Sequence, residues 1–197
     1  HSESAEAMFV HTPGVKVVVP SNPYDAKGLL LAAIDDPDPV VVLEPIRIYR
    51  SIKGDVPDGH YTVPSGLAAM EHEGRDVTLI AYGAMMKEAR VAAVERQDEG
   101  VSVELIDVRS LVPFDTEMMV DSVRKTGRAV VIQEAHRSAG MASEVAAVLQ
   151  EHALYHLNAP IERVTGWDVV IPLRRAEKHY LPTVDQIVAA AHRTLEA

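Results

Sequence analysis

The chain has 197 residues, 47% of them hydrophobic and 24% charged, with a formal net charge of −10; this is an ordinary mixture for a globular chain of one or two domains. The acidic balance, with a pI near 5.3, argues against a nucleic-acid binder, which needs a basic face. Zero cysteine excludes disulfides, thiolate metal sites and a cysteine nucleophile, and fits a cytoplasmic location. No apolar run reaches the roughly 18 residues that a membrane helix needs, and nothing resembles a signal peptide.

Taken in order, His1 to Pro13 starts polar and gives a short helix at Ala5 to Val10. Val15, Val17, Val18 and Val19, closed by Pro20, form a β-branched run that reads as a buried strand. Asn22 is placed to cap a helix, with Pro23 at its first position and Asp25 in its first turn. Ala26, Leu29, Leu30, Ala33 and Ile34 recur at helical spacing, a stripe predicted to lie on a sheet. Asp35-Asp36-Pro37-Asp38-Pro39 ends that helix, and Val40 to Leu43 is a second strand, parallel to the first. Residues 51–65 are rich in Gly and Pro and read as a link. Residues 1–60 thus hold two strands and too few helices to cover a parallel sheet, so they should pack poorly unless a preceding N-terminal portion or a partner chain covers them.

From Arg75 onward strands and helices alternate regularly. Strands are predicted at Val77 to Ala81, Val101 to Val108, Ala129 to Gln133 and Ile161 to Thr165. Helices are predicted at Ala84 to Asp98, from the cap Asp115 to Lys125, and from Ala142 to about His152. A last helix opens on a capping box of Thr183 and Gln186. The pattern means an α/β fold with a mostly parallel sheet. We divide the chain into residues 1–60, a linker 61–75, and a domain 76–197.

Few residues point to chemistry by themselves. His152 and His156 stand four apart, but Ala153 sits where a zinc-protease motif needs glutamate, so they read as surface or partly packed histidines. Glu44, at a strand end, reads as a structural hydrogen-bonding group. Glu134, Arg137 and Gly140 follow a strand, at the edge where ligands gather in doubly wound sheets. There is neither GxGxxG nor GxxxxGK[ST], so a nucleotide site is not expected. Trp167, between Gly166 and Asp168, reads as packing.

The wording itself is more specific. HSESAEAMFVHTPG, followed by KVVVPSNPYDAKGLLLAAIDDPDPVVVLEP and Tyr49-Arg50, resembles the β subunit of thiamine-diphosphate-dependent 2-oxo acid dehydrogenases of the pyruvate and branched-chain type. The resemblance continues through Gly74 to Gly83, Val101 to Asp115, Lys125 to Glu134, Ala159 to Asp168 and Tyr180 to Pro182. It implies a transketolase C-terminal-like domain, preceded by an incomplete piece of the thiamine pyrimidine-binding domain. Such β subunits carry a long part before the HSES-like motif, and this chain starts there without a methionine, so a C-terminal fragment is expected.

The resemblance implies oxidative decarboxylation of a 2-oxo acid, with acyl transfer to a lipoyl group. His1, opening the HS motif, matches a histidine of the thiamine-diphosphate pocket, and imidazole suits proton transfer near neutral pH. Ala33, Asp36 and Asp38 match positions whose backbone carbonyls bind potassium in some relatives; a helix C-terminus offers such carbonyls. Thiamine diphosphate and magnesium are expected mostly outside these residues, with the diphosphate and its magnesium on an α subunit. A second β subunit and a lipoyl-bearing acyltransferase, bound through its subunit-binding domain, complete the implied partners. The rival readings are another thiamine enzyme, such as transketolase or deoxyxylulose-phosphate synthase, and a freestanding dimerisation and docking module.

Overall fold

The computed structural model describes residues 3–173 and 175–197. Chain order begins with helix α1 (Glu6–Val10), strand β1 (Lys16–Val18), helix α2 (Pro23–Asp35) and strand β2 (Val40–Val42). A long connection leads to β3 (Ala69–His72), β4 (Val77–Ala81), α3 (Met86–Asp98), β5 (Val103–Asp107) and β6 (Ser110–Val112). The chain closes with α4 (Thr116–Thr126), β7 (Ala129–His136), α5 (Met141–Ala153), β8 (Glu162–Gly166), α6 (Glu177–Tyr180) and α7 (Val184–Glu196).

Two sheets result. The larger has strand order β3-β5-β4-β7-β8; its four long strands are parallel, and only β3 runs antiparallel, against β5. Successive side chains of a strand point to opposite faces, and β4 uses both. Val77, Leu79 and Ala81 face α3 and α7, meeting Ala89, Ala93, Ile187 and Ala190. Ile80 points the other way, into the core built by α4 and α5 with Met119, Val123, Val145 and Leu149. The strands are therefore apolar on both faces, as a helix-covered parallel sheet requires.

The smaller sheet has order β2-β1-β6. β1 and β2 are parallel, as predicted, but the third strand comes from beyond β5 and runs antiparallel to β1. Val17 and Val19 belong to the same core cluster as Ile80 and Val131, so one hydrophobic core serves both sheets.

Several caps stand where local chemistry places them. The Asn22 side chain accepts from the Asp25 amide at 2.8 Å, and Asp115 accepts from the Met118 amide at 3.0 Å. Thr183 and Gln186 make both halves of the capping box, at 3.3 and 3.0 Å. Removing such a cap typically costs about 1 kcal/mol, so Thr183→Ala should lower the melting temperature by about 2–4 °C for a chain of this size. Calorimetry checks this; an unchanged midpoint would show that the cap contributes nothing.

Other expectations need correction. The α2 stripe does not lie flat on a sheet: Leu29 is buried, but Leu30 is 40% and Ile34 69% exposed. The small sheet is only three strands wide, and the segment around Tyr61 and Val63 takes part of the helix's contact face instead. Val63 donates to the Gly28 carbonyl at 3.0 Å, and Tyr61 stacks on Tyr24 with ring centroids 4.6 Å apart. A Cβ on Gly28 would meet Val63 Cγ2 at 2.5 Å, so the close approach needs glycine there. Residues 61–75, read as a linker, contain β3. Trp167, read as packing, is 59% exposed. His152, in the last turn of α5, and His156, in the separate turn Leu154–His156, are both exposed, as read from the sequence.

Candidate active-site region

Parallel strands leave their carboxyl ends at one edge of a sheet, the usual place for ligands in α/β folds. Here that edge gathers Tyr82, directly after β4, and Glu134, on β7. Arg47, in the turn Ile46–Ile48 after β2, reaches both the sheet and α3: Nε donates to Glu134 Oε2 at 3.0 Å and Nη1 to Glu88 Oε1 at 2.8 Å. Glu6 of α1 is buried and accepts from the Tyr82 hydroxyl at 2.8 Å. Burial, followed by the Glu6 carboxylate, pushes the Tyr82 hydroxyl well above the ordinary phenol range. Burial likewise raises the Glu134 carboxyl, and Arg47 only partly opposes it.

One guanidinium thus pairs with two carboxylates, Glu88 and Glu134, and a buried charge needs partners to be tolerable. Beside them the Tyr180 hydroxyl is buried without a hydrogen-bond partner among the described residues. It sits over Gly166, where a Cβ would come within 2.6 Å of it. The group anchors α1, and with it the amino-terminal stretch, onto the larger domain. His1 itself lies outside the described residues. A cleft of about 710 Å³ borders α1 at Ala7, Val10 and His11, and is closed across by Pro113, Phe114 and Met141.

The other expected site lies at the C-terminus of α2. Lys16 places its ammonium on both Asp36 carboxylate oxygens, at 2.8 and 2.7 Å, and on Asp38 at 3.2 Å. That contact holds the Asp36 carboxyl below its usual range, so these side chains already have a cation. The backbone differs: residue 37 is proline, so the Ala33 carbonyl lacks the usual amide donor four residues on. Carbonyl oxygens at a helix C-terminus suit a hard cation.

The remaining candidates have structural partners. Glu44 accepts from the Tyr49 hydroxyl, and Arg137 donates to the Arg163 carbonyl at 3.0 Å. Gly140 opens α5, whose Ala142 amide is capped by Gln133 Oε1 at 2.6 Å. A Cβ on Gly140 would collide with that glutamine side chain, at 2.1 Å. Sequence reading missed Arg47, Glu6 and Tyr82. A glutamate in the first turn of an apolar helix is an ordinary feature, and nothing local shows that it faces inward.

The model of the transketolase C-terminal domain matches residues 66–187, and that of the transketolase pyrimidine-binding domain matches residues 1–51. The chain belongs to the transketolase C-terminal domain family. This transketolase-type chain is 48% identical, over its whole length, to the pyruvate dehydrogenase E1 component subunit beta of Staphylococcus epidermidis, and 47% identical to that of Staphylococcus aureus. It spans 60% of the length of each of these relatives. Among solved structures it resembles a split-gene transketolase described as an inactive β4 tetramer, with TM-score 0.81 and 29% identity. That match covers 96% of this chain and 60% of the other. The expected domain pair, with a mostly parallel sheet preceded by a pyrimidine-domain piece, is the one observed.

Proposed function

We propose that the chain is part of the β subunit of the decarboxylating component of a 2-oxo acid dehydrogenase, of the pyruvate or branched-chain type. The observation that carries this reading is 47–48% identity along the entire chain to pyruvate dehydrogenase β subunits. The 29% likeness to a transketolase is weaker and reflects the shared domain pair.

In this reading the assembled enzyme, with an α subunit and a second β subunit, works in the cytoplasm. It decarboxylates a 2-oxo acid oxidatively and passes the acyl group to a lipoyl arm. Thiamine diphosphate, held with magnesium mainly by the α subunit, supplies the electron sink when bound. His1 moves a proton during acyl transfer. Glu6 and Tyr82 hold α1 against the end of β4. The carbonyls of Ala33, Asp36 and Asp38 hold a potassium ion at the end of α2. The acyltransferase docks through its subunit-binding domain onto the acidic surface near α7, around Asp185 and Glu196. These 197 residues alone are inactive, because the cofactor-activating carboxylate and the diphosphate site lie outside them.

The test is to co-express the gene that encodes this chain with its α subunit, add lipoylated acyltransferase, and measure acyl transfer from pyruvate and from branched-chain 2-oxo acids. Turnover with one of them is the expected result. Transfer of a ketol group between sugar phosphates, with no lipoyl acylation, would replace this reading by the transketolase one.

A further inference from the structure

The corner where the chain leaves β5 for β6 joins the two sheets. Val108 donates to Ala81 in the large sheet at 2.9 Å, and Val19, just past β1, donates to the Arg109 carbonyl at 2.7 Å. Arg109 adopts φ +54°, uncommon for a residue with a side chain. Asp107, the last residue of β5, is fully buried there.

Five charged groups meet at this corner, from every element packed on it. Ser21, between β1 and α2, donates its hydroxyl to Asp107 Oδ2, and the Arg109 amide donates to Oδ1 at 3.2 Å. Arg90 of α3 donates to Ser21 Oγ at 2.7 Å and comes within 4.0 Å of Asp107. Arg90 is also paired twice with Glu71 of β3, at 2.7 and 2.6 Å. The Arg109 guanidinium donates to Asp25 of α2 at 3.1 Å and to the Ala68 carbonyl at 2.8 Å. Two arginines and two of the carboxylates, Asp25 and Glu71, cancel. Asp107 is the odd charge, balanced only when it carries a proton.

We propose that this corner is a proton-held joint: with Asp107 neutral the cluster is balanced and the sheets stay closed, and with Asp107 ionised the joint opens more readily. Ser21 and Asp25 belong to the pyrimidine-domain piece and the other groups to the C-terminal domain, so the proton governs how firmly the two are coupled. Burial acts in the same direction as the charge count. Desolvation pushes the Asp107 carboxyl up to about 7; Ser21 and Arg90 oppose this, and Glu71 and Asp25 add to it.

The sign of the pH effect follows by linkage. A solvent-exposed aspartate ionises near 4, so opening releases a proton between about pH 4 and 7. Over that window opening becomes easier by up to about tenfold per pH unit, and it levels off above. The experiment uses the full chain. Carbon-detected NMR of the Asp107 carboxyl should titrate near neutrality; a midpoint below pH 5 would overturn the proposal. Hydrogen exchange then compares the Val19 amide, at the joint, with Leu79, inside the large sheet. From pH 5 to 7 the Val19 protection should fall by at least about tenfold relative to Leu79. Asp107→Asn should remove that fall, and an equal fall in both proteins would also overturn it. If the variant does not fold, the titration and exchange of the wild type decide.

Discussion

Lys125→Met should destabilise the chain by about 3 kcal/mol, near the lower end of the roughly 3–5 kcal/mol that follows removal of one partner of a buried pair. Glu104, the second residue of β5, is wholly buried, and the Lys125 ammonium of α4 is bonded to its Oε2. The same oxygen accepts from the Gly74 amide at 3.0 Å, while Oε1 has no hydrogen-bond partner among the described residues. Lys125 is half exposed, which moderates its contribution, but without it the carboxylate keeps one amide donor and no opposite charge beside it. Urea unfolding of wild type and variant measures the difference; a loss under about 1 kcal/mol, typical of an exposed pair, would show that water replaces the ammonium. The double variant Lys125→Met with Glu104→Leu should recover most of the loss, because it removes the stranded charge along with its partner.

His1→Ala in the assembled α/β enzyme should slow acyl transfer to lipoyl by about 10²–10⁴-fold, the usual loss when a general acid or base is removed. Cofactor affinity should change far less, since the resemblance assigns the diphosphate and its magnesium to the α subunit. Single-turnover acyl transfer and thiamine diphosphate titration separate the two effects. Equal turnover of wild type and variant in the reconstituted complex would remove His1 from the mechanism. A drop in cofactor binding as large as the drop in rate would make it a binding residue.

What could be read from the residue pattern was what local chemistry decides. Asn22, Asp115 and the Thr183–Gln186 pair each satisfy amides within three residues, so their helices announce themselves. The buried runs at Val77–Ala81 and Ala129–Gln133 are apolar on both faces but for Thr78 and Gln133, because helices cover both, and such runs are visible by eye. β3 escaped because Ala69–His72 is short, half-buried and set after a turn-rich stretch; it exists only by pairing with β5. β6 escaped likewise, being three residues ahead of Pro113 whose partner is β1. The charge clusters were hidden for the same reason. Arg47 finds Glu134, Arg109 finds Asp25 and Tyr82 finds Glu6 across the fold, and no spacing along the chain encodes those meetings. The one available signal was a charged residue inside an apolar strand: Glu104 and Asp107 in Val-Glu-Leu-Ile-Asp each require a partner somewhere.

The borrowing of β6 by the smaller sheet also ties the folding of the two sheets together. One side of β1 is paired by Ser110–Val112, which lies beyond β5 in the chain, and β5 is itself laid against β4. Within these residues the three-stranded sheet is complete only once the larger domain has brought β6 to it, and so distant a pairing is slow to form. Displacing β6 would leave the valines of β1 with an unpaired edge, the kind that pairs with other chains.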